Sequence, residues 1–78
     1  MSPTIFRFKG YRFFFYVNDP SPVHIHIEKG DGTAKFNLDP VELIKSRRFK
    51  ASEIAEIRKL VIENIELFKD KWDEYFND

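Results

Sequence analysis

The apolar residues of this chain change their period part-way along, and that change demands a domain built from both strands and helix. Up to about residue 38 apolar and polar residues alternate, as they do in half-buried strands. From residue 51 onward Ile54, Ile57, Val61, Ile65, Phe68, Trp72 and Tyr75/Phe76 recur at steps of three and four, with Leu60 and Leu67 widening the stripe. No glycine or proline interrupts residues 51–76, Ser52 can act as N-cap, and Glu53 and Glu56 suit the positive end of the helix dipole. One helix over residues 51–76 is predicted. At 1.5 Å per residue it would be about 39 Å long, so its last turn is expected to overhang the sheet or meet a second subunit.

Residues 4–8 and 11–17 are rich in aromatic and β-branched side chains, and Lys9-Gly10 between them predicts a tight hairpin. In that register Phe8 faces Tyr11, Arg7 faces Arg12, Phe6 faces Phe13 and Ile5 faces Phe14. One side then holds Phe6, Phe8, Tyr11, Phe13, Phe15 and Val17; the other holds Ile5, Arg7, Arg12, Phe14 and Tyr16. Asn18-Asp19-Pro20-Ser21-Pro22 reads as a loop, because each proline fixes φ and removes a donor. Strands over residues 23–29 and 33–38 follow. An Asp31-Gly32 turn would pair Ile27 with Phe36, Ile25 with Leu38, Glu28 with Lys35, His26 with Asn37 and His24 with Asp39. That register separates apolar from polar side chains, whereas a three-residue turn would mix them. Pro40 interrupts the pattern, and Val41-Glu42-Leu43-Ile44 fits a short extended piece or one helical turn. The expected fold is α+β: a four-stranded antiparallel meander sheet with one long C-terminal helix packed on one face, in a single domain over residues 1–78.

A chain of 78 residues has room for one core, and 42% hydrophobic with 17% aromatic residues is far from a disordered composition. With no cysteine, disulfides and thiolate metal sites are excluded. No apolar run approaches the roughly 20 residues that span a bilayer. A cytoplasmic protein without membrane partners is expected. Formal net charge is zero, but residues 1–37, 38–52 and 53–78 carry +2, +2 and −4, which hints at one basic and one acidic surface.

Burying one sheet face under the helix leaves the other to be explained. It should present Arg7, Arg12, Phe14, Tyr16, His24, His26, Glu28, Lys35 and Asn37, together with Ile5. Rings and an isoleucine exposed together suggest a face covered by a protein partner or a second copy. Arginines beside Phe14 and Tyr16 also suit RNA, through phosphate contacts and base stacking. His24 and His26 as acid and base, with Arg12 stabilising a phosphoryl transition state, would make a metal-independent ribonuclease. His24, His26 and Glu28, or Asp39, form a two-histidine, one-carboxylate set that would accept a divalent metal, though no cofactor is required. Lys45, Arg47, Arg48 and Lys50 place four cations in six residues before the helix, where a phosphate could bind.

Ser2-Pro3-Thr4-Ile5, the run Gly10-Tyr11-Arg12-Phe13-Phe14-Phe15-Tyr16, the strand Pro22-Val23-His24-Ile25-His26-Ile27-Glu28 and the closing Trp72-Asp73-Glu74-Tyr75-Phe76 together resemble domain-of-unknown-function family 4160. The resemblance implies a small prokaryotic protein, in some cases a component of a toxin-antitoxin-like or mobile-element-associated system, with no secured activity. By position it marks Arg12, His24, His26 and Glu28. Lys50 departs from the pattern: relatives tend to have a serine there, which would cap the helix together with Glu53.

Overall fold

The computed structural model describes residues 4–16 and 22–76. Ser2, Pro3, Val17 and the loop residues Asn18-Asp19-Pro20-Ser21 lie outside the described residues. Five strands, β1 (Thr4–Phe8), β2 (Tyr11–Phe14), β3 (His24–Lys29), β4 (Gly32–Leu38) and β5 (Val41–Arg47), form one antiparallel sheet in sequential order. Two helices follow, α1 (Ala51–Glu63) and α2 (Ile65–Phe76). The architecture is the expected α+β meander, with one strand and one helix break more than the pattern predicted.

The first hairpin turns where expected. Lys9 and Gly10 both have positive φ, 50° and 87°, the backbone of a type I′ turn whose twist matches its strands. Phe8, Arg7 and Phe6 pair with Tyr11, Arg12 and Phe13, but Thr4, not Ile5, faces Phe14. A bulge makes Ile5 the extra residue and turns it toward the core, near Lys71, Glu74 and Tyr75 of α2. Ile5 is therefore not on the open face.

The second hairpin turns at Gly30-Asp31 instead of Asp31-Gly32. Gly30 takes φ 57°, and Lys29 pairs with Gly32, Ile27 with Ala34, His26 with Lys35 and Ile25 with Phe36. The register is displaced by two residues, which preserves every side chain's face. Gly32 is needed in the strand itself, because a Cβ there would stand 2.5 Å from the Phe49 ring.

The fifth strand comes from the stretch whose pattern was ambiguous. After a turn at Asp39-Pro40, a cis peptide, Val41 and Leu43 pair with Leu38 and Phe36. Ile44 is then the extra residue of a bulge, and from Lys45 onward the strand has changed parity. An alternation that reverses midway hides a strand from a period-two reading.

The helices cover the face bearing Phe13, Phe15, Ile25, Ile27, Phe36 and Leu38 with Ile57, Leu60, Val61, Phe68 and Trp72. Phe68 stacks on Phe13 at 5.4 Å and meets Phe6 edge-on at 5.9 Å. Asn64 divides the predicted single helix: its Nδ2 donates to the Leu60 carbonyl 2.8 Å away, and its backbone leaves helical geometry at φ −115°. Past Asn64, α2 brings Trp72 and Phe76 to within 5.2 and 6.2 Å of Phe15, so the last turn packs on its own sheet instead of overhanging.

Helix α1 starts two residues earlier than a Ser52 cap implies. Lys50 is the N-cap, and its backbone N–H donates to Glu53 Oε1 at 2.8 Å. That is half of a capping box, since a lysine side chain has no acceptor for the orphan N–H groups. Lys50→Ser completes it, and the expected gain is about 1 kcal/mol, a rise in Tm of roughly 4–8 °C by thermal denaturation. An unchanged or lowered Tm would show that the cap is not formed this way.

Candidate nucleic-acid interface

Strand parity and the two bulges assemble three rows across the face opposite the helices. Arg12, Glu28, Thr33 and Arg47 are successive partners on β2 to β5, with Arg7 opposite Arg12 on β1. Phe14, His26, Lys35 and Lys45 form the next row. Asn37 and Glu42 form the third, and His24, paired with Asn37 at the end of β3, is buried against α2 instead of joining them on the open face. Lys45 and Arg47, in the sequence only part of a basic run before the helix, thus lie on the same surface as the histidine strand. Thr33 was missed, although its parity with Lys35 and Asn37 would have found it.

Arg12 is committed within the sheet. Its Nε donates to Thr4 Oγ1 at 2.7 Å, its Nη1 pairs with Glu28 Oε1 at 2.9 Å, and its guanidinium lies 4.3 Å above the Phe14 ring. Capped in this way and flanked by His26 and Tyr16, Phe14 is only 4% exposed. The expectation that Phe14 needs a partner to cover it is corrected, because the chain covers it. Tyr16 stays open at 46%, its ring meeting His26 edge-on at 4.4 Å.

The two imidazoles do not share one environment. His24 is fully buried, 5.3 Å from the Trp72 ring of α2 and 4.9 Å from His26, with its Nδ1 bonded to the Pro22 carbonyl oxygen. As the first residue of β3, it has no β2 residue paired beside it to hold it upright on the open flank. His26 is half-buried beside Phe14 and Tyr16. Only His26 borders the open surface. Glu28 turns to Arg12, and among the described residues no group of three His, Asp or Glu side chains comes together.

Toward β4 and β5 this face offers a concavity of about 200 Å³ lined by Tyr16, His26, Thr33, Lys35, Lys45 and Arg47. Lys35 and Lys45 are direct cross-strand partners, a like-charge pairing that destabilises an isolated sheet. Neither they nor Arg47 forms an ion pair with any described residue. Arg7 adds a further cation, and Glu42, opposite Asn37, is exposed at the margin. Arg48 leaves the strand at φ 60°, and Lys50 has gone to the helix cap.

The sequence profile of the family described as a domain of unknown function (DUF4160) matches residues 10–73. The chain belongs to this family. The match takes in all of β2 to β5 and α1, and hence every member of the DUF4160 face except Arg7 on β1. The motif residues Ser2 to Ile5 and Glu74 to Phe76 fall outside it. No curated protein and no solved structure matches the chain. No helix is long and apolar enough to cross a membrane among the described residues.

Proposed function

We propose that this DUF4160 chain binds a single-stranded nucleic acid across β3 to β5, as one component of a toxin-antitoxin-like or mobile-element-associated system. The observation that carries the reading is the Lys35–Lys45 pair beside Arg47, cations facing one another without a carboxylate partner among the described residues. A row of phosphates relieves that repulsion. Tyr16, exposed and held against His26, supplies a flat ring at the rim of the same concavity, where a base can stack. An acidic protein partner or a second copy would use the cations but would gain nothing comparable from the ring, and Ile5 and Phe14, which such a partner would have covered, are already packed by the chain itself.

Fluorescence anisotropy with labelled oligouridine tests this. Binding should weaken with salt, log K falling with log salt at a slope of about 0.7 for each phosphate engaged, or about 2 overall for three cations. The Lys35→Ala/Lys45→Ala variant should bind weakly with a shallow slope. Tyr16→Ser should lose roughly fivefold or more in affinity and leave the slope unchanged. No binding at low salt, or binding that neither variant alters, would send the face to a protein partner.

A further inference from the structure

A second concavity continues the first at the corner of the sheet. It has a volume of about 220 Å³ and is lined by Asp31, Thr33, Arg47 and Arg48, sharing Thr33 and Arg47 with its neighbour. The Thr33–Arg47 pair lies two residues along the β4 and β5 strands from Lys35–Lys45, roughly 7 Å away. That is the scale of one further nucleotide on an extended strand. The chemistry of the two hollows differs. The first is lined by cations, a hydroxyl and rings, and it attracts phosphates; the second adds a carboxylate at its rim, from the exposed second residue of the Gly30-Asp31 turn.

A carboxylate repels phosphate oxygens and only accepts hydrogen bonds, so beside Arg47 and Arg48 it selects a ligand presenting a hydroxyl next to a phosphate. In a polynucleotide that group is the ribose 2′-hydroxyl, the feature that separates RNA from DNA. Resting on the nucleic-acid reading above, we infer that the Asp31–Thr33–Arg47–Arg48 hollow receives a ribose and restricts the face to RNA. Asp31 accepts the 2′-hydroxyl hydrogen, while Arg47 and Arg48 hold the adjoining phosphate.

The test compares oligouridine with oligodeoxyuridine, which differ only at that hydroxyl, on the wild-type chain, Asp31→Ala and Asp31→Asn. The wild type should favour RNA by about tenfold, the worth of one hydrogen bond to a charged group. Asp31→Ala should bring RNA down to the DNA affinity without weakening DNA. Asp31→Asn, whose amide oxygen still accepts but carries no charge, should keep roughly a threefold preference, about half the free energy. Asp31 is exposed in a turn, and circular dichroism verifies that both variants are folded. Equal binding of both strands by the wild type overturns the ribose assignment but leaves the nucleic-acid reading intact. An RNA preference that survives Asp31→Ala overturns the role of Asp31. Binding of neither strand overturns both.

Discussion

Trp72→Ala is expected to remove most of the stability of the domain. Trp72 is 4% exposed and touches three partners at once: Phe76 at 4.2 Å, Phe15 at 5.2 Å and His24 at 5.3 Å. It is the ring by which α2 closes over the end of the sheet where β2 stops. Truncating a buried tryptophan costs about 3–5 kcal/mol, because the transfer energy is lost and a cavity is left behind. A chain of this length has only about 4–12 kcal/mol in total. The urea midpoint should therefore collapse, and the variant should be partly unfolded before denaturant is added. Trp72→Phe, which keeps a ring against Phe15, should fold with a much smaller loss. If Trp72→Ala stays within about 1 kcal/mol of wild type, α2 does not dock as described.

The same tryptophan shows where a sequence reading stops. Parity along a strand placed His26, Glu28, Lys35 and Asn37 on one face correctly, because period two is a property of extended backbone and needs no tertiary information. It held even when the second hairpin was displaced by two residues, since such a slip exchanges partners without exchanging faces. His24 has the same parity and is nevertheless buried, because at a strand end the ring is free to lean toward Trp72, far along the chain. Phe14 also has the expected face, yet a guanidinium from two residues before it closes it to solvent. The two bulges are the remaining gap: one extra residue at Ile5 and one at Ile44 reverse the local parity, and no residue type in either stretch announces it.

The bulge at Ile44 has the larger consequence for function. Without it Lys45 and Arg47 would continue the parity of Val41 and Leu43 and point at the helices; with it they turn onto the open face beside Lys35 and Thr33. The basic run and the histidine strand, separate features in the sequence, become one surface through a single inserted residue. The acidic C-terminal third stays with the helices, so the uneven charge along the chain becomes a difference between the two layers.

On the helix side, an alkaline transition reports whether the first hairpin and α1 are joined as described. Burial, then the hydrogen bond from the Tyr11 hydroxyl to Glu56 Oε1 at 3.1 Å, and then the negative charge of Glu56 and Glu53, push the Tyr11 phenol up to about 12 from an ordinary 10.0. In the unfolded chain Tyr11 loses its proton near 10, while in the folded chain it holds it to about 12. Over that interval the native state binds more protons than the unfolded one, so stability falls as pH rises. The contribution is complete below pH 10 and lost through pH 12. A shift of this size corresponds to almost 3 kcal/mol, but Glu56 is half-exposed and solvent screens it, so about 1–2 kcal/mol is expected. Tyr11→Phe removes the titrating group and keeps the ring that packs on Phe49 and under Lys29. Urea denaturation of both proteins from pH 9 upward should show curves that converge as the wild type loses its advantage, whereas parallel curves would mean that the phenol does not reach Glu56 in the folded chain.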